Sequence, residues 1–315
     1  MERRLHSIRS LRSLDLLNSR RNEKDTFNDL ASDEIKSLCA PFYLEQSSLE
    51  KFMNLMHEQV EIGLQDEEVT HDLKLLNTFV NEIPKRKISG DYLCLDFKGR
   101  YYRMVLIRMS KDIDKTGIDE TLYTIPKKVR LQSGSSVSCY IFISPLVFKY
   151  IAETVLDFLS LRGLQDNEYD LAFCFGFPVE LVSLSQAYLL GWTKEFSCEA
   201  VVGQDVCNLF QKNLNALDLK VKVKAIFNDT VGVLAACALR DAECRIGIIV
   251  SAGTNCCYYE KVSNIGRPFA SLCQGNEVII NTEWGAFGDM GCLNEFLTEY
   301  DIEVSRNTLS PGKQT

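Results

Sequence analysis

The chain has 315 residues, 46% of them hydrophobic and 25% charged, with a net charge of −8 and a pI near 5.1. This supports a real core in one large or two modest domains and excludes nucleic acid as the main partner, which needs a basic face. Charges interrupt every apolar run well short of membrane length, so no transmembrane helix is predicted.

Residues 1–32 stand apart. Arg3, Arg4, Arg9, Arg12, Arg20 and Arg21 alternate with Leu5, Ile8, Leu11, Leu14 and serines, while Glu2 and Asp15 dilute the pattern. The stretch reads as a disordered basic tail, with an amphipathic organelle presequence as the alternative. Over 47–64 a helix is predicted: Ser47 and Glu50 make a capping box, and Leu49, Phe52, Met53, Met56, Val60 and Leu64 share one face. Residues 92–97 and 102–109 read as two strands around a tight turn at Lys98-Gly99. Ser144-Pro145 opens a second helix in the N-cap and N1 pattern, with Ile151, Val155, Leu156 and Leu159 inward. Residues 169–177 are strand-like and stop at Pro178.

A buried strand is predicted over 221–227, ending abruptly in Asn228-Asp229-Thr230. Such an ending delivers an amide and a carboxylate to the carboxyl end of a strand, where α/β proteins place their sites. An ordinary Asn-Asp turn is the alternative for these residues alone. A small-residue helix follows over 231–239, then a buried strand over 245–250 that turns at 251–254 into 256–260. Strands with intervening helices point to α/β architecture. Of the twelve cysteines, Cys94, Cys139, Cys174, Cys237, Cys256 and Cys257 lie in apolar runs expected to be core, and no CxxC pair occurs. His6, His57 and His71 lie outside the cysteine-rich half, so no zinc spacing can be built and no metal centre is expected. Reduced thiols in the cytosol are expected rather than a disulfide framework.

Several segments, in order, resemble the hexokinase family. Leu95-Asp96-Phe97-Lys98-Gly99-Arg100-Tyr101-Tyr102-Arg103 is similar to the family's LDLGGTNFR turn, Phe173-Cys174-Phe175-Gly176-Phe177-Pro178 to FTFSFP, and Trp192-Thr193-Lys194-Glu195-Phe196 to WTKGF. Gly203-Gln204-Asp205-Val206 follows in place, Asn228-Asp229-Thr230-Val231-Gly232 resembles NDTVGT, and 247–260 resembles GLIVGTGTNACYME. The longest near-identity runs from Ile280 to Asp289.

The resemblance covers roughly residues 33–315. It implies a two-lobed actin-like ATPase fold of the ribonuclease H-like kind, with residues 33–238 as the N-terminal region and 239–315 as the start of the large lobe. Since the chain stops at Thr315, that lobe is expected to be incomplete. The implied activity is transfer of the terminal phosphoryl of ATP, bound with Mg²⁺, to the 6-hydroxyl of glucose or a related hexose. Asp229 is implied as general base and Lys194 as offsetting charge on the phosphoryl oxygens, with Thr193, Lys194, Asn228, Asn255 and Glu283 holding sugar hydroxyls. Asp96, Gly99, Arg103, Gly253 and Thr254 are implied on the nucleotide side. The implied location is the cytoplasm, with docking of the basic tail on a mitochondrial surface as the alternative.

The chain also departs from the pattern. Lys98 and Arg100 replace the first glycine and the threonine of the first phosphate turn, Ala252 replaces a threonine in the second, and Val233 and Gly176 replace a threonine and a serine. Lys98 would strain the backbone if its φ were positive. Weakened transfer is therefore expected, the alternative being a sugar-binding relative without catalysis or a truncated isoform.

Overall fold

The structure is a computed structural model and describes residues 33–65, 72–83, 88–132, 146–193, 196–251 and 253–307. The basic tail, His71, Cys139, the helix start at Ser144-Pro145, Lys194, Ala252 and the end of the chain lie outside these residues. Two compact units divide the described chain, one holding 33–55 with 293–307 and the other 56–292.

In the smaller unit are α1 (Asp33–Cys39), the first part of α2 (Gln46–Gln65) and a helix over Glu299–Asn307. Phe52 meets Phe296 edge-on at 5.8 Å, Phe42 stacks on Tyr300 at 5.3 Å, and Lys51 pairs with Glu295. The capping box at Ser47 does not form. The helix starts one residue earlier, and Glu50 accepts from Gln46 Nε2 at 3.1 Å, one turn back. Leu49 and Met53 are exposed, and only Gly63 and Leu64 of α2 are buried. The apolar stripe predicted the helix, but its depth of burial depends on neighbours that periodicity does not report.

The larger unit is built on two main sheets and two further two-stranded ladders. Its strands are β1 (Leu76–Asn77), β2 (Gly90–Phe97), β3 (Tyr101–Met109), β4 (Gly117–Thr124), β5 (Leu131–Gln132), β6 (Tyr169–Phe175), β7 (Val179–Ser183), β8 (Gln186–Leu189), β9 (Ser197–Cys198), β10 (Val221–Phe227), β11 (Ile246–Val250), β12 (Thr254–Lys261) and β13 (Glu277–Asn281). The first sheet has the order β10-β6-β2-β3-β4. Its first three strands in the chain run antiparallel, then β6 and β10 add in parallel on the other side of β2. That mixed order is the ribonuclease H-like arrangement implied by the sequence motifs. The second sheet, β1-β13-β12-β11, is antiparallel throughout. The ladders pair β5 with β9 and β7 with β8.

A core of Leu93, Leu95, Phe97, Leu171, Phe173 and Phe175 from the first sheet packs on Phe148, Ile151, Val155 and Leu159 of a helix over Leu146–Ser160. Phe210 and Leu214, from a helix over Val206–Ala216, complete that face. Each fully buried Phe or Leu contributes about 1.5–3 kcal/mol. Beneath the strand ends, Phe97, Phe175, Phe177, Trp192 and Phe196 form an aromatic cluster, with Trp192 stacked on Phe196 at 5.3 Å.

Four expectations are corrected. The strand predicted to reach Phe177 ends at Phe175; its parallel pairing with β2 stops one ladder bond later, with Gly176 N donating to Phe97 O at 2.8 Å. β10 is an edge strand with Lys222 and Lys224 exposed, so it is half-buried rather than buried. β11 is likewise an edge strand: Ile246, Ile248 and Val250 are exposed, the last by 79%. An edge strand covered on one face reads in sequence like a buried one when its open face is apolar. Cys237 is exposed, whereas Cys174, Cys256 and Cys257 are buried and Cys94 is half-buried. Among the described residues every cysteine is a free thiol.

Candidate active site

Strand β10 stops at Phe227, and the chain passes at once into the helix Asp229–Ala238, called α3 here. Asn228 is its N-cap, accepting from Thr230 N at 3.0 Å and Thr230 Oγ1 at 2.8 Å. The predicted helix therefore starts two residues early, and Asp229 becomes its first residue, at the positive end of the helix dipole. The Asn-Asp-Thr run is a cap that fixes a carboxylate at a strand end.

Asn255 from β12 and Glu283, two residues past β13, converge on this cap. Glu283 Oε1 accepts from Asn228 Nδ2 at 3.3 Å, Asn255 Nδ2 at 3.2 Å and Asn281 Nδ2 at 2.7 Å. Asn255 Nδ2 also faces Asn228 Oδ1 at 3.3 Å and Asn281 Oδ1 at 2.9 Å. An amide has two hydrogens and here meets three acceptors, so the network is shared and can rearrange around an added hydroxyl. Glu283 itself has left-handed backbone (φ 50°, ψ 43°), a conformation that costs a non-glycine residue about 1–2 kcal/mol. The segment behind it is anchored by Asp72, which accepts from Gly288 N at 3.2 Å, Met290 N at 2.8 Å and Cys292 Sγ at 2.7 Å.

Sequence reasoning singled out Asn228, Asn255 and Glu283, and the structure brings all three together. It missed Asn281, although that residue stands inside the near-identical 280–289 run. It also missed Asp72, whose role depends on a partner more than two hundred residues away. Thr193 is exposed and has no side-chain hydrogen bond to the cluster among the described residues; its segment is held by Trp192 Nε1 donating to Cys198 O at 2.8 Å. Lys194 lies outside the described residues.

On the first turn, Asp96 stands opposite Arg103 in the β2–β3 register. Arg103 Nη2 donates to Asp96 Oδ2 at 2.9 Å, and Lys98 Nζ is 3.2 Å from Asp96 Oδ1, an ion pair without the alignment of a hydrogen bond. Burial works to lower the Lys98 pKa, but Asp96, with a smaller contribution from Asp229, outweighs it and the ammonium is held above its ordinary value. The backbone at Lys98 stays outside the left-handed region, so the feared strain is absent. Gly99 is buried, while Gly253 and Thr254 are exposed on the second turn. Burial, with Asp96 adding to it, pushes the Cys94 thiol up to about 12 and raises Cys174 as well, which leaves neither as a nucleophile.

Among the described residues no helix is long and apolar enough to cross a membrane. Comparison with known proteins places this geometry. Sequence models of hexokinase match residues 34–239 and 245–315. A hexokinase of Schistosoma mansoni is 37% identical over 286 residues, covering 90% of this chain and 60% of the relative. Hexokinase-1 of Homo sapiens is 33% identical over 296 residues, covering 91% of this chain and 31% of that protein. Among solved structures, the Schistosoma mansoni hexokinase complexed with glucose superposes with a TM-score of 0.80 at 36% identity, covering 90% of this chain and 61% of that one. A second hexokinase crystal structure, 23% identical, shares the fold with a TM-score of 0.67. The chain thus spans about 60% or less of the relatives' length. With the sheet order, the shared carboxylate and these matches in agreement, the chain belongs to the hexokinase family.

Proposed function

We propose that this chain holds a hexose at Asn228, Asn255 and Glu283, in a site built to transfer a phosphoryl group from ATP to the sugar's 6-hydroxyl with Asp229 as general base. The observation that carries this reading is the convergence of amides from three segments on the Glu283 carboxylate, one of them from Asn228, the chain neighbour of Asp229. Sugar hydroxyls both donate and accept, and a carboxylate ringed by amides offers both complements. The glucose held by the Schistosoma relative supports hexose as the ligand class. Asp229, fixed at a helix start, accepts the proton of the 6-hydroxyl and leaves its oxygen nucleophilic. Thr193 and Lys194 would add contacts to the sugar.

Hexokinases use ATP with magnesium, and Asp96, Gly99, Arg103, Gly253 and Thr254 are the residues expected beside that group. As arranged they do not fit it, because a cation already stands against each Asp96 oxygen. Transfer by this chain is accordingly proposed to be weak. The same ion pair favours a second reading, a sugar-binding member without turnover.

Tryptophan fluorescence tests the sugar site, since the chain's two tryptophans are Trp192, next to Thr193, and Trp284, next to Glu283. Glucose is expected to change the signal, and Glu283→Ala to abolish that change; a natural chain blind to glucose refutes the reading. Glucose 6-phosphate formation in a coupled assay decides between the two versions. Any turnover is expected to vanish in Asp229→Asn, and turnover surviving that change removes Asp229 as base.

A further inference from the structure

We infer that Lys98 and Gly176 are a matched pair: the lysine fills the space a side chain at 176 would need and stands as a tethered cation on Asp96, so that a magnesium-bound nucleotide reaches this turn only by displacing it. The inference rests on the phosphoryl-transfer reading of the site and ties the Lys98 departure in the first phosphate turn to the loss of the serine at 176.

Both positions depart from the family pattern, each just past the end of one of two strands that lie side by side. β2 and β6 are parallel and end together, with Phe97 opposite Phe175. Residues 98 and 176 are therefore the next step out from adjoining strand ends, tied by Gly176 N donating to Phe97 O. A Cβ at 176 would lie 3.0 Å from Lys98 Cα and 3.2 Å from both its Cβ and Cγ. Two of those three contacts exist only because residue 98 has a side chain. A glycine at 98 would lift them and free the backbone to yield at the third. Glycine at 176 thus leaves the room that the Lys98 side chain takes up, and the lysine in turn closes that space to a side chain at 176.

The lysine then turns to Asp96, whose side chain is only 13% exposed. With Arg103 on the opposite oxygen, the carboxylate is neutralised from both sides by the chain itself. Magnesium gives up its water shell reluctantly and is held by carboxylates that keep free charge to offer it. Here that charge is already met. The ammonium is held firmly protonated, so the competition persists across physiological pH.

The test compares the natural chain with Gly176→Ser, Lys98→Gly, Lys98→Gln and the two double variants carrying Gly176→Ser. In the natural background Gly176→Ser is expected to lower the melting temperature by about 2–4 °C. That loss should be less than half as large with glycine at 98 and undiminished with glutamine, which keeps the bulk. Equal losses in all three backgrounds overturn the pairing. Isothermal titration with magnesium ADP reads the second claim: Lys98→Gly and Lys98→Gln are both expected to bind it roughly three- to tenfold more tightly than the natural chain, as loss of a half-exposed ion pair allows. No gain in either variant overturns the tethered-cation claim. Glucose titrations of the same proteins stand apart: failure here with the glucose response intact sinks this inference alone, whereas a natural chain blind to glucose sinks the sugar reading and leaves the melting comparison valid.

Discussion

Replacing Asn228 by alanine removes two structural functions at once, and serine separates them. Asn228 Oδ1 caps α3 through Thr230 N, and its Nδ2 donates to Glu283. Loss of an N-cap typically costs about 1 kcal/mol. Thr230 is fully buried and loses the acceptor of its hydroxyl, while Glu283 keeps Asn255 and Asn281 as donors. The stranded hydroxyl adds about 1–2 kcal/mol, for a total of about 2–3 kcal/mol in Asn228→Ala. For a unit of this size that is a fall in melting temperature of about 4–6 °C. Asn228→Ser retains a capping oxygen and should lose less than about 1 kcal/mol, yet it has no amide for Glu283. Thermal melts followed by circular dichroism, paired with glucose titration of tryptophan fluorescence, read both effects. The serine variant is expected to melt near the natural chain and to bind glucose as poorly as the alanine variant. If serine and alanine melt alike, the cap account is wrong; if serine binds glucose normally, the Asn228–Glu283 contact plays no part in sugar recognition.

Gly247 lies in β11 against α3, where an added Cβ would meet Thr230 O at 2.6 Å and Leu234 Cβ at 2.9 Å. Gly247→Ala is therefore expected to push the helix off the sheet, costing about 1–3 kcal/mol in a melt, and to weaken glucose binding because the helix carries Asn228 and Asp229. Unchanged glucose affinity with a lowered melting temperature would show that the helix start is held from elsewhere. Arg162 donates to Asp119 at 2.8 and 2.6 Å, to Phe158 O at 3.0 Å, and lies over the Phe158 ring at 3.7 Å. Arg162→Ala should destabilise by about 1 kcal/mol, read by urea denaturation, an amount kept small by the exposure of the pair. The Arg162 guanidinium holds the Asp119 carboxyl below its ordinary 3.8, so this stabilisation is present above that pH and is lost as pH falls beneath it through the folded-state value. The difference between natural and Arg162→Ala chains should accordingly shrink in melts below about pH 4, and a constant difference would refute the pairing.

Much was legible from local pattern. The hairpin of β2 and β3, the strand over 221–227 and the helix after it were all readable, because alternation and capping residues act over a few positions. Asn228, Asn255 and Glu283 were singled out as candidates through motif likeness, although nothing in their spacing says that they touch. The exposed face of β11 was misread, since an apolar edge strand and an apolar central strand share one composition. Local chemistry by itself determined the end of β10 and the carboxylate at position 229 that follows it, whereas the end of β6 and the Asn228 cap were not read from local pattern. Tertiary structure alone decided that Asn281 joins Asn255 and Glu283, that Asp72 anchors a segment far along the chain, and that Lys98 packs against Gly176. Those are contacts across strands and between distant segments, and short-range steric and hydrogen-bonding rules do not encode which distant groups the folded chain will bring within 3 Å.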